Sequence, residues 1–447
     1  MLNLKKEIFV KLLTFLQVTL VLLIAYKTSF TLRPFIDEIV SLSSTNNFFK
    51  TLEFKGPENT VYGNSYSPNL TTGPLVTIGS NIGVVFFKDL YIIRYFNFLF
   101  LITIQTSFNF LISKKFNISI FYLTIFSLFL ITSVPWWYSS LYSLGDLICS
   151  LIFCNCLLLY KYFPRLSIFL MSFTIFFGRI LILVPFCSFY FYNLYSSKKI
   201  SIKELLLFLT PPVIWLILVL NFSTYQNLSE YIKNYFEIVY STNPSIGLET
   251  KSNSLLNFEN MRMNSDLRFW NTADYLRVLV SPMLILFIIF RPEKFNLKKF
   301  QSVRYSLFFS YIIMYFLYWF FSPTKSIIYT QTFTTIVLYT VLLYFIENKH
   351  SNSFSDFIPL LIVLFYFSSI TVIIISLLFY FFKKVLNISL DIRLFISILI
   401  IFNSLNSYFE ISNKTLFNNI NFSFCNENLQ SISCFENYLN NEYKFED

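Results

Sequence analysis

Two adjacent carboxylates, Asp37 and Glu38, follow the first apolar segment of the chain and lie close to Arg33. On a helix, neighbouring side chains point about 100° apart, so one carboxylate can face a cleft while the other meets a cation. A carboxylate near hydrocarbon can have a raised pKa and can then serve as a general base toward a hydroxyl. The spacing alone leaves open the alternative of a solvated acid pair beside Arg33.

Four other charged residues lie at the ends or in the middle of apolar segments: Arg94, Asp146, Arg179 and Lys325. Placing a charged arginine within an apolar hairpin costs free energy, so Arg179 is a functional candidate by default. An ion pair with Asp146 that holds the bundle together is the structural alternative. By predicted depth, Arg94, Arg179 and Lys325 are cations near the outer membrane surface. For Lys325 a plain interfacial anchor is the competing interpretation.

These residues are set in a chain with the composition of a membrane protein. Of its 447 residues, 55% are hydrophobic and only 13% are charged, and the mean hydropathy is +0.60. A soluble domain has roughly 25% charged residues. The net charge of +10 comes from Lys and Arg clustered in short loops between apolar segments. That pattern indicates positive-inside topology and argues against nucleic-acid binding.

The first apolar segment, residues 8–26, follows Lys5 and Lys6, which predicts an uncleaved anchor with the amino terminus inside. Residues 27–91, the first loop, are too long for a simple connection, so we expect them to be functional. Within this loop, residues 75–87 are apolar but too short to span comfortably. We therefore expect them to lie along the interface or to re-enter the membrane.

Two later segments carry further structural signals. Residues 166–195 have basic residues at both ends and Gly178-Arg179 in the middle, which predicts two short helices in an incomplete hairpin. Trp136 and Trp137 end another apolar segment, where aromatic residues are typical of an interface belt.

The predicted fold class is all-α: a polytopic transmembrane helical bundle of about 10–13 helical segments, with two long external loops carrying short interfacial helices. The predicted regions follow the chain in this order: an amino-terminal transmembrane region (1–222) that contains the first loop (27–91) as its catalytic part, a second external loop (223–273), carboxy-terminal transmembrane helices (274–404), and a polar tail (405–447). The acidic composition of the tail favours the external side, whereas simple alternation through the last two spans would put it inside.

The order of short motifs in about the first 200 residues resembles the GT-C superfamily of membrane glycosyltransferases, which includes protein mannosyltransferases and lipid A aminoarabinose transferases. The motifs are Asp37-Glu38, Thr72-Gly73-Pro74, Arg94, Gly145-Asp146 and Gly178-Arg179. The resemblance implies a polyprenyl-phosphate sugar as donor and an acidic residue in the first external loop that acts as base or orients the acceptor.

Carried over by position, Asp37 matches the first-loop acid, with Glu38 as its neighbour and a substitute for it. Asp146 lies where many relatives have Glu after Gly, and Arg94 matches the basic residue that opens the second span. Gly178-Arg179 falls where relatives often have Thr-Lys, which keeps a cation but removes a hydroxyl. The resemblance thus predicts Asp37, Glu38 and Asp146 as catalytic residues. Departure of the lipid phosphate that it implies needs cations, and the candidates for binding the donor phosphate are Arg94, Arg179 and Lys325.

We expect no required cofactor and no metal site, although a single divalent cation bound by first-loop acids is left open. The only histidine, His350, lies in a predicted cytoplasmic loop, which argues against zinc and histidine chemistry. The expected partners are a polyprenyl-phosphate sugar, membrane lipid and a glycan, lipid or protein acceptor, with no nucleic acid. The expected location is a bacterial inner membrane, with the active site facing outward.

Two other functions fit the same composition. A polysaccharide polymerase or ligase of the cell envelope also combines many spans with large external loops, but its key residues should lie in later loops. A lipid or sugar flippase should have polar residues near the middle of the membrane and repeated halves, and the sequence has no evident repeat.

Overall fold

The structure is a computed structural model that describes residues 2–32, 36–56, 63–66, 72–87, 89–141, 147–197, 201–223, 229–233, 310–315 and 392–413, together with single positions between 335 and 381. The long helices in this part of the chain are α1 (Leu2–Thr31), α2 (Ile36–Thr51), α3 (Ile78–Phe86), α4 (Leu90–Phe116), α5 (Ile120–Thr132), α6 (Val134–Leu141), α7 (Leu147–Leu159), α8 (Pro164–Phe176), α9 (Leu183–Ser197), α10 (Ile202–Phe222) and α11 (Ile392–Asn413).

Three stretches of the described helices are long and apolar enough to cross a membrane: Lys11–Thr31, Leu90–Phe116 and Ile202–Phe222. The shortest have 21 residues, and such a helix is about 32 Å long, which matches a hydrocarbon core of roughly 30 Å. Shorter apolar helices lie between them in sequence. The predicted all-α, polytopic membrane bundle is confirmed, and the chain is an integral, multi-pass membrane protein.

The short apolar segment of the first loop forms α3, which packs along α4 as a helical hairpin. Gly79 and Gly83 lie one turn apart on the contact face of α3. A Cβ atom on Gly79 would lie 2.5 Å from Asn97 Oδ1, and one on Gly83 would lie 3.3 Å from the Phe96 ring. Small residues at this spacing let two helix backbones approach closely, as in membrane helix pairs generally.

The predicted break in the 166–195 segment is confirmed. Helix α8 ends at Phe176, and a 3₁₀ turn (Ile180–Ile182) leads into α9. Between them, a Cβ atom on Gly178 would lie 2.5 Å from the Thr174 carbonyl oxygen and would also meet Cys149 Sγ. Only glycine fits this position, so the break is held by packing as well as by backbone preference.

A buried polar network joins α4 and α7 to Tyr339. Asn155 Nδ2 donates to Gln105 Oε1 at 2.9 Å, and the Tyr339 hydroxyl donates to Asn155 Oδ1 at 2.8 Å. Gln105 Nε2 in turn donates to Asn109 Oδ1 at 3.1 Å. Polar groups inside a membrane protein must find partners within the protein, and here these amides satisfy one another.

Trp136 and Trp137 do not form the expected exposed interface belt. Both side chains are fully buried in the bundle, and Trp137 packs edge-on against Phe98 of α4 at a centroid distance of 5.5 Å. The prediction of an interface belt is wrong here. A tryptophan pair at the end of an apolar segment has the same sequence pattern whether it faces lipid or protein, so the pattern does not distinguish the two.

The last described helix, α11, packs along α1, and Lys27 Nζ lies 5.2 Å from the Tyr408 ring centroid. It extends to Asn413 and so runs past the predicted end of the carboxy-terminal helices at residue 404. The other predicted region boundaries stay predictions, because most of residues 223–391 and all of 414–447 lie outside the described residues.

Candidate functional site

Glu38 and Arg94 form a buried ion pair that joins the start of α2 to the start of α4. Arg94 Nε donates to Glu38 Oε1 at 2.8 Å, and Arg94 Nη2 donates to Glu38 Oε2 at 2.7 Å. Each side chain is 1% exposed. The two parallel, charge-assisted hydrogen bonds use both carboxylate oxygens, which is the strongest geometry available to an arginine and a carboxylate.

Arg94 also holds the end of α1. Arg94 Nη1 donates to the Leu32 carbonyl oxygen at 2.7 Å and to the Ser29 carbonyl oxygen at 3.4 Å. These carbonyls belong to the last turn of α1 and the residue after it, where intrahelical donors are lacking. One guanidinium therefore ties α1, α2 and α4 together at the point where the chain enters the first loop.

Asp37 lies in the first turn of α2, one residue before Glu38. Its backbone is helical, and its side chain lies outside the described residues. Helical spacing predicts that one carboxylate of the pair meets a cation, and Glu38 does so, with Arg94 as a partner. A cleft in front of Asp37 stays a prediction. Asp146 and Lys325, the other predicted site residues, also lie outside the described residues.

The structure brings two separate sequence motifs into direct contact. The Gly73 amide donates to the Gly178 carbonyl oxygen at 2.7 Å, and the Leu75 amide donates to the Phe177 carbonyl oxygen at 2.8 Å. The first loop is thereby fixed to the break between α8 and α9. A Cβ atom on Gly73 would meet the Phe177 carbonyl group, so the close approach requires glycine there.

Arg179 directly follows this contact. Its amide donates to the Thr174 carbonyl oxygen at 2.8 Å, and its side chain is 8% exposed, so the guanidinium lies almost entirely within the protein. A guanidinium carries five donors in a fixed plane and does not lose its charge, which suits it to bind phosphate oxygens. The predicted phosphate-binding role of Arg179 stays a prediction.

Helix α2 spans the distance between the Glu38–Arg94 pair and the Gly73–Gly178 contact. Seven residues after Glu38, the Thr45 hydroxyl makes a 2.5 Å hydrogen bond with the Thr77 hydroxyl, just before α3. Seven residues of helix rise about 10 Å. The described part of the first loop is thus attached at the start of α2, again in the second half of α2 and again at Gly73, so this part is packed into the bundle.

An aromatic cluster around Trp215 of α10 completes the packing of the first loop, and sequence reasoning missed it. The Trp215 ring contacts Phe48, Phe54, Tyr66 and Phe177 at centroid distances of 6.4, 6.0, 5.3 and 5.1 Å. The one sequence signal was the position of Trp215 in the middle of an apolar segment, where a belt residue would not lie.

Tyr66 locks the turn of the first loop that reaches this cluster. Its hydroxyl donates to the Leu52 carbonyl oxygen at 2.6 Å, and its amide donates to the Phe54 carbonyl oxygen at 2.7 Å. Its side chain is buried, and its backbone is left-handed, with φ of 57°. Burial raises the pKa of the Tyr66 hydroxyl well above its usual value, with smaller contributions from Tyr231 and Glu53.

An apolar groove of about 750 Å³ runs along α9, immediately beyond the break. Its walls include Leu183, Val184, Cys187, Phe191 and Ile313. A groove of this size with an almost wholly apolar lining fits a hydrocarbon chain better than a polar ligand. Among the described residues, no group of three His, Cys, Asp or Glu side chains could hold a metal ion.

No protein-family model and no curated protein matches the sequence. The fold is similar to that in the crystal structure of ArnT from Cupriavidus metallidurans bound to undecaprenyl phosphate. The TM-score is 0.53 with 11% sequence identity, over 89% of this chain and 76% of that chain. At this level of identity the likeness concerns the fold alone: the chain has a GT-C-like fold.

Proposed function

We propose that this protein is a membrane glycosyltransferase that moves a sugar from a polyprenyl-phosphate donor to an acceptor, with Asp37 as its acid–base residue. The observation that carries the proposal is the buried Glu38–Arg94 pair, seen in a GT-C-like fold. This pair fixes the first turn of α2 against α4 and so fixes the backbone position of Asp37.

The two adjacent acids have different roles in this proposal. Both oxygens of Glu38 accept hydrogen bonds from Arg94, so Glu38 orients α2 and takes no proton from the acceptor. Asp37 is then the first-loop base, and Asp146 is a second acid that orients the acceptor or the sugar. Arg94 is engaged by Glu38 and Leu32, so binding of the donor phosphate is assigned to Arg179 and Lys325.

The reaction is a substitution at the anomeric carbon of the sugar. The bond from this carbon to the phosphate oxygen breaks, and a bond to the acceptor oxygen forms. Asp37 removes the proton from the acceptor hydroxyl, and polyprenyl phosphate leaves as an anion. Fixed cations at the place where this negative charge develops stabilise the transition state, because they need no rearrangement during the reaction.

The groove along α9 gives the donor a place for its hydrocarbon tail. Leu183 and Val184, at one part of its wall, follow Arg179 by only four and five residues. A phosphate at Arg179 and an isoprenoid chain in the groove would therefore occupy neighbouring sites. The similar fold of ArnT, whose structure contains undecaprenyl phosphate, supports a donor of this class. The location we propose for the first loop is the outer face of a bacterial inner membrane, and the positive-inside rule supports that orientation.

The proposal is tested by transfer from a radiolabelled polyprenyl-phosphate sugar in proteoliposomes, with a membrane extract as the source of acceptors. We expect the Asp37→Asn variant to transfer at least about 100-fold more slowly than wild type, the usual effect of removing a general base. Glu53→Gln is the matched control, since Glu53 is another first-loop acid, partly exposed and paired with Lys55 at 3.0 Å. Equal transfer by wild type and Asp37→Asn would remove the proposed base.

A further inference from the structure

Trp215 lies in the middle of the inward stripe of α10, between Phe208 and Phe222. Pro211 and Val219 are buried on this helix, one turn before and one turn after Trp215. Most of the helix is turned away from the protein, and Ile217 is 51% exposed. Hydrophobicity alone would allow the indole to face lipid as readily as protein. Its place on the narrow buried stripe therefore indicates a specific packing partner within the protein.

The partner of this indole is the contact between the first loop and the break after α8. Phe177 lies 5.1 Å from Trp215 between ring centroids, with the rings nearly perpendicular. The carbonyl oxygen of Phe177 accepts from Leu75, and that of Gly178 accepts from Gly73. The indole thus holds the ring of the same residue whose backbone anchors the first loop.

The indole holds the first loop from its other side as well. Tyr66 and Phe54, which are joined by a backbone hydrogen bond of 2.7 Å, both pack on the Trp215 ring. Phe48, near the end of α2, contacts both Trp215 and Phe177 at 6.4 Å. One side chain therefore bridges two parts of the first loop and the backbone break that precedes Arg179.

We propose that Trp215 is a positioning residue that sets the place of Arg179 for the donor phosphate by holding Phe177 against the first loop. This inference rests on the proposed function. Arg179 is two residues from Phe177, and the backbone bonds that Phe177 and Arg179 make to Phe173 and Thr174 hold the break only to the end of α8. Its attachment to the first loop runs through Phe177 and Gly178. Without the indole, the Phe177 ring keeps its contact with Phe173 but loses its largest neighbour, and the backbone that carries Arg179 is held less firmly against the first loop.

The test compares three variants: Trp215→Ala, Trp215→Phe and the lipid-facing control Ile217→Ala. The first readout is amide hydrogen exchange in residues 72–77, which needs no activity. We expect faster exchange at Gly73 and Leu75 in Trp215→Ala, an intermediate rate in Trp215→Phe and the wild-type rate in the control. If Trp215→Ala does not fold, Trp215→Leu takes its place, because it keeps an apolar side chain and a helix former but removes the ring.

The second readout is transfer kinetics with varied donor. A misplaced binding group can lower kcat/KM by about 100-fold, and we expect the loss to lie mainly in KM for the donor, with partial recovery in Trp215→Phe. Unchanged exchange at Gly73 and Leu75 would overturn the inference. Faster exchange with an unchanged KM and a lower kcat would also overturn it, because the indole would then be structural only.

The failure of this inference is distinguishable from the failure of the proposed function. If the wild-type protein transfers no sugar from any polyprenyl-phosphate donor, the proposed function fails. Binding of free polyprenyl phosphate, measured by native mass spectrometry, then replaces transfer as the second readout. Weaker binding in Trp215→Ala than in Ile217→Ala would support the inference, and equal binding would contradict it.

Discussion

Removing the charge of Glu38 should destabilise the protein strongly, because its partner is buried with it. In Glu38→Gln the amide oxygen can still accept one of the two hydrogen bonds, but Arg94 loses its counter-ion while 99% of its side chain stays out of solvent. Hydrogen bonds to charged groups contribute about 1.5–3 kcal/mol each. Breaking a buried pair by removing one partner costs about 3–5 kcal/mol. We expect Glu38→Gln to lower the free energy of unfolding by about 3 kcal/mol.

The assay is reversible unfolding in mixed detergent micelles, followed by circular dichroism. Glu53→Gln is again the control, because the Glu53 and Lys55 side chains are 35% and 29% exposed at a separation of 3.0 Å. An exposed pair of this kind contributes less than about 1 kcal/mol. The free energy of unfolding of a domain is about 5–15 kcal/mol in total, so the losses in the two variants should be easy to tell apart.

A double variant separates the interaction between Glu38 and Arg94 from the cost of leaving one of the two charges buried alone. Glu38→Leu with Arg94→Met replaces both charges by apolar groups, which is often neutral or stabilising in a protein interior. We expect it to be more stable than Glu38→Gln alone. The reasoning would be refuted if Glu38→Gln and Glu53→Gln lost the same free energy, or if the double variant lost the sum of its two single variants.

Two further predictions concern the first loop. Gly73→Ala places a methyl group against the Phe177 carbonyl and should lower the free energy of unfolding by about 1–3 kcal/mol. In Gly83→Ala the nearest atom is in the Phe96 ring at 3.3 Å and the nearest backbone atom is Ile93 Cα at 3.5 Å, so the free energy of unfolding should change by less than about 1 kcal/mol. Equal losses would contradict the assigned contact. Tyr66→Phe removes the hydroxyl that donates to Leu52 at 2.6 Å and should cost about 1 kcal/mol at pH 7. The folded state keeps the Tyr66 proton above pH 10 while the unfolded state loses it near pH 10, so stability from this hydroxyl is complete below pH 10 and declines above it. The difference between wild type and Tyr66→Phe should therefore shrink from pH 9 to pH 11 in the same unfolding assay, and a constant difference would contradict the burial argument.

Much of the helical architecture could be predicted from apolar run length and local breaks. The break at Gly178-Arg179 is an example, because basic residues at both ends of the segment leave no room for a single crossing. The short helix α3 is another, since its apolar run is too short for a comfortable span. These predictions depend on residues that are neighbours in sequence. The thickness of the bilayer sets the length of an apolar segment, and its lack of water requires the backbone hydrogen bonds to be made within that segment.

The partners of the site residues could not be predicted, because they are distant in sequence. Glu38 and Arg94 were both recognised as candidate site residues, but nothing in their spacing of 56 positions indicates that they pair with each other. Trp215 was missed altogether, since its role depends on four rings from three other parts of the chain. Trp136 was placed in an interface belt by the same local reasoning and is buried instead.

The most direct test of the proposed function is consumption of a radiolabelled polyprenyl-phosphate sugar by the purified, reconstituted protein in the presence of membrane acceptors. The account predicts that labelled acceptor and free polyprenyl phosphate appear in equal amounts, and that Asp37→Asn slows both at least about 100-fold while Glu53→Gln does not. Undiminished transfer by Asp37→Asn, or no consumption of any such donor by the wild-type protein, would contradict it.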